Sequence, residues 1–208
     1  MDKSITQRAL RIASRETAKH LSAHGFRRQG LHLHRHVGSL FHGINFQASR
    51  WGSAASGKFT VNLIVTSPAI YTGWIGPFPS NPASATFPIQ MRIGSLMPDR
   101  SDYWWPVGVD TELEALAAEV AESVEHHGLP FFAAYQSNDD LLSRLRSGIC
   151  PGCTRPLARV VHALVAAEMG LRQEALEALK LALAESEVSS FSERVRGLAE
   201  RLGLANTL

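Results

Sequence analysis

The chain has 208 residues, 45% hydrophobic and 19% charged, a balance that excludes a disordered polymer and suffices for a sizeable core. No run approaches the roughly 18 apolar residues of a membrane span. The N-terminal MDKSITQRALRIASRETAKH lacks the apolar centre of a secretory signal, and two cysteines are too few for a disulfide-stapled secreted fold, so a cytoplasmic location is expected. The net charge of +2 conceals an asymmetry: residues 1–110 hold 12 Lys and Arg against 5 Asp and Glu, and residues 111–208 hold 9 against 14. A basic front half either attracts an acidic protein or nucleic acid, or packs against the acidic back half.

Residues 4–24 carry an approximate helical stripe of Ile5, Ala9, Ile12, Ala13, Ala18 and Leu21, closed by His24-Gly25. Residues 29–37 alternate as a strand, with Leu31, Leu33, Arg35 and Val37 on one face and His32, His34 and His36 on the other. Residues 41–49 form a second strand, with Ile44, Phe46 and Ala48 opposite Phe41, Gly43, Asn45 and Gln47. The Gly/Ser-rich run 50–58 reads as a connection. The third strand, 59–66, sets Phe59, Val61, Leu63 and Val65 against Thr60, Asn62, Ile64 and Thr66. Short links without an intervening helix predict an antiparallel meander. Residues 67–85, rich in proline and glycine, read as mostly loop. TFPIQMRI (86–93) reads as a fourth strand whose Pro88 belongs at an edge or a strand start.

From Asp110 the period becomes helical. Leu113, Leu116, Ala117, Val120 and Val124 form a stripe, Asp110 or Thr111 is placed to cap it, and Gly128-Leu129-Pro130 to end it. SNDDLLSRLRSG is a short helix capped by Ser137 or Asn138. The tail from Pro156 is helical: a pair meeting near Gly170, with the small-residue and leucine pattern of a tetratricopeptide unit, then a last helix over about 190–204. The expected fold is α+β, a four-stranded or five-stranded antiparallel sheet packed with helices over residues 1–148, followed by a helical extension over 149–208.

Few residues here assemble into known chemistry. His32, His34 and His36 project from one strand face, and imidazole is a common zinc ligand. Same-face neighbours on a strand stand about 7 Å apart, however, and three in line do not converge on one ion. Cys150 and Cys153 in CPGC have the spacing of redox pairs and half zinc sites. No second pair completes a zinc site, and the local reading is a Pro-Gly turn between helices with partly buried thiols. No G-x-S-x-G, P-loop, H-E-x-x-H or dinucleotide glycine run occurs. No cofactor and no metal are therefore expected. The remaining candidates are the polar strand residues Arg35, Asn45, Gln47, Asn62 and Arg92, with Trp104. They either satisfy buried backbone or line a binding surface.

Several segments recur in order as a set: Gly25-Phe26 closing the first helix, the strand with Arg35, INFQ (Ile44–Gln47), FTVNL (Phe59–Leu63), RIGSL (Arg92–Leu96), DYWWPV (Asp102–Val107) and LPFF (Leu129–Phe132). On them, residues 5–146 resemble the bacterial DUF4304 family, whose function is unknown. The resemblance implies a family architecture and transfers no catalytic residue; CPGC lies outside it. The expected function is a non-enzymatic protein-interaction module with a protein partner, in build similar to immunity proteins, which bind and neutralise toxins. Two alternatives stand beside it: an enzyme or ligand-binding protein acting on a small anionic substrate through the Arg/Asn/Gln surface, and nucleic-acid binding by the basic front half, which no recognised motif supports.

Overall fold

A computed structural model describes residues 4–99 and 101–205. The first helix, α1, spans Ile5–His20. Ser4 caps it by accepting from the Gln7 amide, and Ala9, Leu10, Ala13 and Thr17 line its buried side. It ends four residues earlier than the stripe predicts, and a short 3-10 turn, Ser22–His24, closes on Gly25 at φ +79°.

Six strands form one antiparallel sheet: β1 (Arg27–Gln29), β2 (His32–Val37), β3 (Leu40–Ala48), β4 (Ser56–Thr66), β5 (Ile89–Arg92) and β6 (Trp105–Gly108). The spatial order is β1-β2-β3-β4-β5. The short β6 shares the outer edge of β4 with β5, β5 pairing with Asn62–Val65 and β6 with Ser56–Phe59. The meander of β2, β3 and β4 is the one the alternation predicts. The expected strand over 29–37 is instead split at Gly30, whose φ of +63° turns the chain into a hairpin. The last three residues of the expected connection 50–58 are drawn into β4 because β6 supplies partners for them. Pro88 immediately precedes β5, at the strand start its missing N–H requires, and follows a cis peptide bond.

One sheet face is covered by α1 and by α3 (Leu113–Ser123). Its registered residues include Leu33, Ile44, Phe46, Phe59, Val61, Leu63 and Trp105, all buried. Helix α3 starts later than its expected caps. Glu112 holds the cap position, and the Thr111 hydroxyl accepts from the Gly108 amide at 2.8 Å instead of closing the helix. Nor does the helix end at Gly128-Leu129-Pro130. It widens into a π turn over Val124–Gly128 and continues as α4 (Leu129–Ala133), where Pro130 sits in the first turn and needs no donor.

The segment expected as loop contains α2 (Pro68–Trp74), capped by Ser67, whose hydroxyl accepts from the Ile70 amide. Next come α5 (Asn138–Arg146), capped by Ser137 as predicted, then α6 (Arg155–Glu168), α7 (Arg172–Ala184) and α8 (Ser189–Arg201). Helices α6 and α7 form a hairpin over Gly170 at φ +76°. Helix α2 docks them. Gly73 leaves room for Leu164, Trp74 meets Phe191 edge-on, and Arg201 donates to the Gly73 carbonyl at 2.9 Å. A contiguous apolar core thus runs from the sheet into the C-terminal helices. No helix among the described residues is long and apolar enough to cross a membrane.

Candidate functional site

The register of β2–β5 gathers the polar candidates unequally. Asn45 faces Asn62, which faces Arg92, so these three lie in one row across the sheet, with Gln47 beside them on the same face. Arg35 pairs with His42 on the opposite, helix-covered face. There its Nε donates to His42 Nδ1 at 3.1 Å and its Nη1 to the His24 carbonyl at 3.0 Å, with the guanidinium 4.8 Å from the Phe26 ring centre. His42 is fully buried, stacked on Phe132, and bonded through Nε2 to the Tyr135 carbonyl at 2.6 Å. Donating there and accepting from Arg35, the ring is neutral, and burial lowers its pKa to about 4. Arg35 is thus a clasp inside the fold, separate from the other five candidates.

The row of polar residues divides again. Towards one end the face is covered by the segment before β5. Asn45 Nδ2 donates to the Ala83 carbonyl at 3.2 Å, Thr66 donates to the Phe87 carbonyl at 2.5 Å, and a Cβ on Gly43 would lie 3.0 Å from Ala83 Cα. Asn62 is 2% exposed and donates to Gln47 Oε1 at 2.8 Å. Asn45 and Asn62 therefore use their amides within the fold, while Gln47 reaches solvent.

Beyond them an open cluster remains. Two cations lie over the Trp104 ring, Arg92 with Cζ at 5.0 Å from its centre and Lys58 with Nζ at 5.4 Å. Its indole N–H donates to Asp102 at 3.0 Å, and Arg92 donates to the other oxygen of that carboxylate. These bonds hold Asp102 below the usual carboxylate range. Trp105, one residue on, projects to the other face. It is buried against Phe59 and donates to Glu119 at 2.8 Å. Trp51, 84% exposed, stands on the β3–β4 hairpin loop.

The histidine run lies on the same face as Asn45. His32 Nδ1 accepts from the Phe46 amide at 3.2 Å, and His34 and His36 pack against Phe41. Among the described residues no three His, Cys, Asp or Glu side chains gather as a metal site. Cys150 and Cys153 form the expected Pro-Gly turn and are half-buried free thiols.

A further feature escaped the sequence reading. Arg8, Arg11 and Arg15 occupy the face of α1 opposite its buried stripe and, with Arg28 of β1, line a cleft of about 340 Å³. None of the four has a carboxylate partner, and no Lys or Arg of the basic front half pairs with a carboxylate of the acidic back half among the described residues; His20 Nδ1 and Glu125 meet there at 3.3 Å. The signal was the spacing of positions 8, 11 and 15, which puts three arginines on one helical face.

A family model described as a domain of unknown function (DUF4304) matches residues 17–134, within the span of the resemblance noted in the sequence. No curated protein and no solved structure matches the chain.

Proposed function

We propose that this chain, which belongs to the DUF4304 family and inherits no activity from it, works by binding a protein partner through the open end of its polar sheet face. The observation carrying this reading is Trp104 in contact with both Arg92 and Lys58 on the face where Gln47 is exposed. A large half-buried ring with two cations against it, beside an exposed carboxylate, has the composition of an interface anchor. Fixing the ring beforehand lowers the ordering cost of association. The cations favour a partner with carboxylates at the matching position.

The test has two stages. A partner is captured and identified with the wild-type chain, then titrated in purified form against wild type and Trp104→Ala. A loss of about tenfold or more in affinity supports the reading, as removal of a hot-spot side chain does. Equal affinities overturn it.

The unpaired arginines of the α1–β1 cleft favour a second reading, attraction of an anionic polymer such as nucleic acid. Retention on immobilised heparin should then fall steeply with salt, and Arg11→Gln with Arg15→Gln should flatten the dependence by about two phosphate contacts. Salt-independent retention would refute it.

A further inference from the structure

The CPGC turn lies outside both surfaces and beyond residues 17–134. Pro151 and Gly152 hold its central positions, Gly152 at φ +83°, and the Cys153 amide closes the turn on the Cys150 carbonyl at 3.1 Å. Such a turn brings its end Cα atoms within about 7 Å, near the span that a disulfide bridges. Both thiols are free.

The turn is held in place from β5. The Gln90 amide donates to the Pro151 carbonyl at 3.3 Å, the Cys153 thiol donates to the Pro88 carbonyl at 3.3 Å, and a Cβ on Gly152 would stand 2.7 Å from the Gln90 carbonyl oxygen. An anchored backbone keeps the two sulfurs together without a bond between them. Both line an open cleft of about 430 Å³ with Leu145, Arg155 and Arg159. The two guanidiniums share one carboxylate, Glu185, at 3.1 and 3.2 Å, which leaves the cleft net positive on that side. The turn also leads directly into the N-terminus of α6, whose dipole adds to the same field. Cys153 stands one residue before the Thr154 cap of α6, nearer that field than Cys150. The neighbouring Cys150 thiol holds Cys153 below the ordinary thiol range, although burial opposes the shift, and the same proximity, with burial, raises Cys150.

We propose that Cys150 and Cys153 form a dithiol site that exchanges with small anionic disulfides entering this cleft, Cys153 attacking and Cys150 resolving. Deprotonated Cys153 attacks one sulfur of the substrate, the substrate S–S bond breaks, and one half departs as a thiolate. Cys150, giving its proton to solvent, then attacks the Cys153 sulfur of the mixed disulfide and expels the other half. The substrate gains two electrons and becomes two thiols. The protein dithiol loses two electrons and becomes a disulfide, and its two protons end on the products. The arginines attract the carboxylates of such a substrate, and with the α6 N-terminus they stabilise the Cys153 thiolate once its proton leaves the Pro88 carbonyl for solvent. This activity uses residues separate from the partner-binding face and stands or falls independently of it.

The experiment treats the reduced full-length chain with glutathione disulfide in the absence of oxygen and follows released thiol and intact mass. The expected result is two glutathione thiols per chain, loss of two hydrogens from the protein, and a disulfide mapped to Cys150–Cys153. Cys150→Ser should stop at one glutathione attached to Cys153, and Cys153→Ser should react at least about tenfold more slowly. Arg159→Gln should slow the reaction with glutathione disulfide more than with uncharged hydroxyethyl disulfide. The proposal is overturned if the wild-type chain keeps both thiols at a glutathione disulfide excess that oxidises a free dithiol. Equal rates for the two cysteine variants, with melting curves showing both folded, would also overturn it, as would stoichiometric zinc bound by the thiols and blocking the exchange.

Discussion

On one face of the sheet Arg35 lies over Phe26 and donates to His42; on the other Arg92 lies over Trp104 and donates to Asp102. The ingredients are the same: a guanidinium, an aromatic ring and an acceptor. Their surroundings differ. The Arg35 set is closed over by the helical layer, its histidine fully buried and each ring nitrogen bonded. The Arg92 set lies where the covering segment ends, and its carboxylate is 62% exposed. A cation on a ring is therefore no marker of a site by itself. Under a helical layer it joins elements of the fold; at the rim it leaves a face for another molecule. The adjacent tryptophans make the same point, since strand alternation sends Trp105 into the core and Trp104 to the surface.

The comparison can be broken by experiment, and the tryptophans should show the largest effect. Trp105→Ala should cost about 3–5 kcal/mol of stability, as large-to-small changes in a packed core do, and Trp104→Ala less than about 1 kcal/mol. Urea unfolding measures both, and equal losses would erase the distinction between the faces.

The next effect is pH dependence from His42. Its folded pKa of about 4 lies below the 6.5 of a free imidazole, so folding favours the neutral ring. The unfolded chain then binds the proton more readily, and stability falls as pH drops from above 6.5 towards 4. The expected loss is on the order of 3 kcal/mol. Urea midpoints between pH 4 and pH 8 should show a shallower slope for His42→Gln than for wild type. An unchanged slope would mean that the closed set does not hold this histidine neutral.

The smallest effect separates the two arginines. Arg35→Gln should cost about 1–3 kcal/mol by leaving the buried Nδ1 of His42 with a poorer partner, and Arg92→Gln under about 1 kcal/mol, as for an exposed ion pair. A larger loss at Arg92 would turn the proposed binding face into a structural one.

How much was legible beforehand followed from how local each signal was. Alternation over 41–49 set Asn45 and Gln47 opposite Phe46, and alternation over 59–66 set Asn62 opposite Val61 and Leu63; only the register puts the three amides on one face of the sheet. The Ser137 cap and the helix pair around Gly170 were equally local. The split at Gly30 was missed because the residues around it continue the alternation. Helix α2 was missed because its proline and glycine read as loop, although Pro68 sits in the first helical turn and Gly73 makes room for Leu164. The π turn carried α3 past Pro130, where sequence rules stop a helix.

By itself the sequence determined the α+β plan, the alternation within each strand, the Ser137 cap and the likeness to a family, because each depends on neighbours a few residues apart. Only the tertiary structure decided which polar residues are used up. Arg35 closes on His24 and His42, Asn45 on Ala83, Asn62 on Gln47, while Arg92 and Trp104 stay at the rim. It also brought Arg28 beside the arginines of α1 and set the CPGC turn against β5. The physical reason is that alternation states which side of a sheet a residue is on, whereas burial depends on what another part of the chain lays over that side.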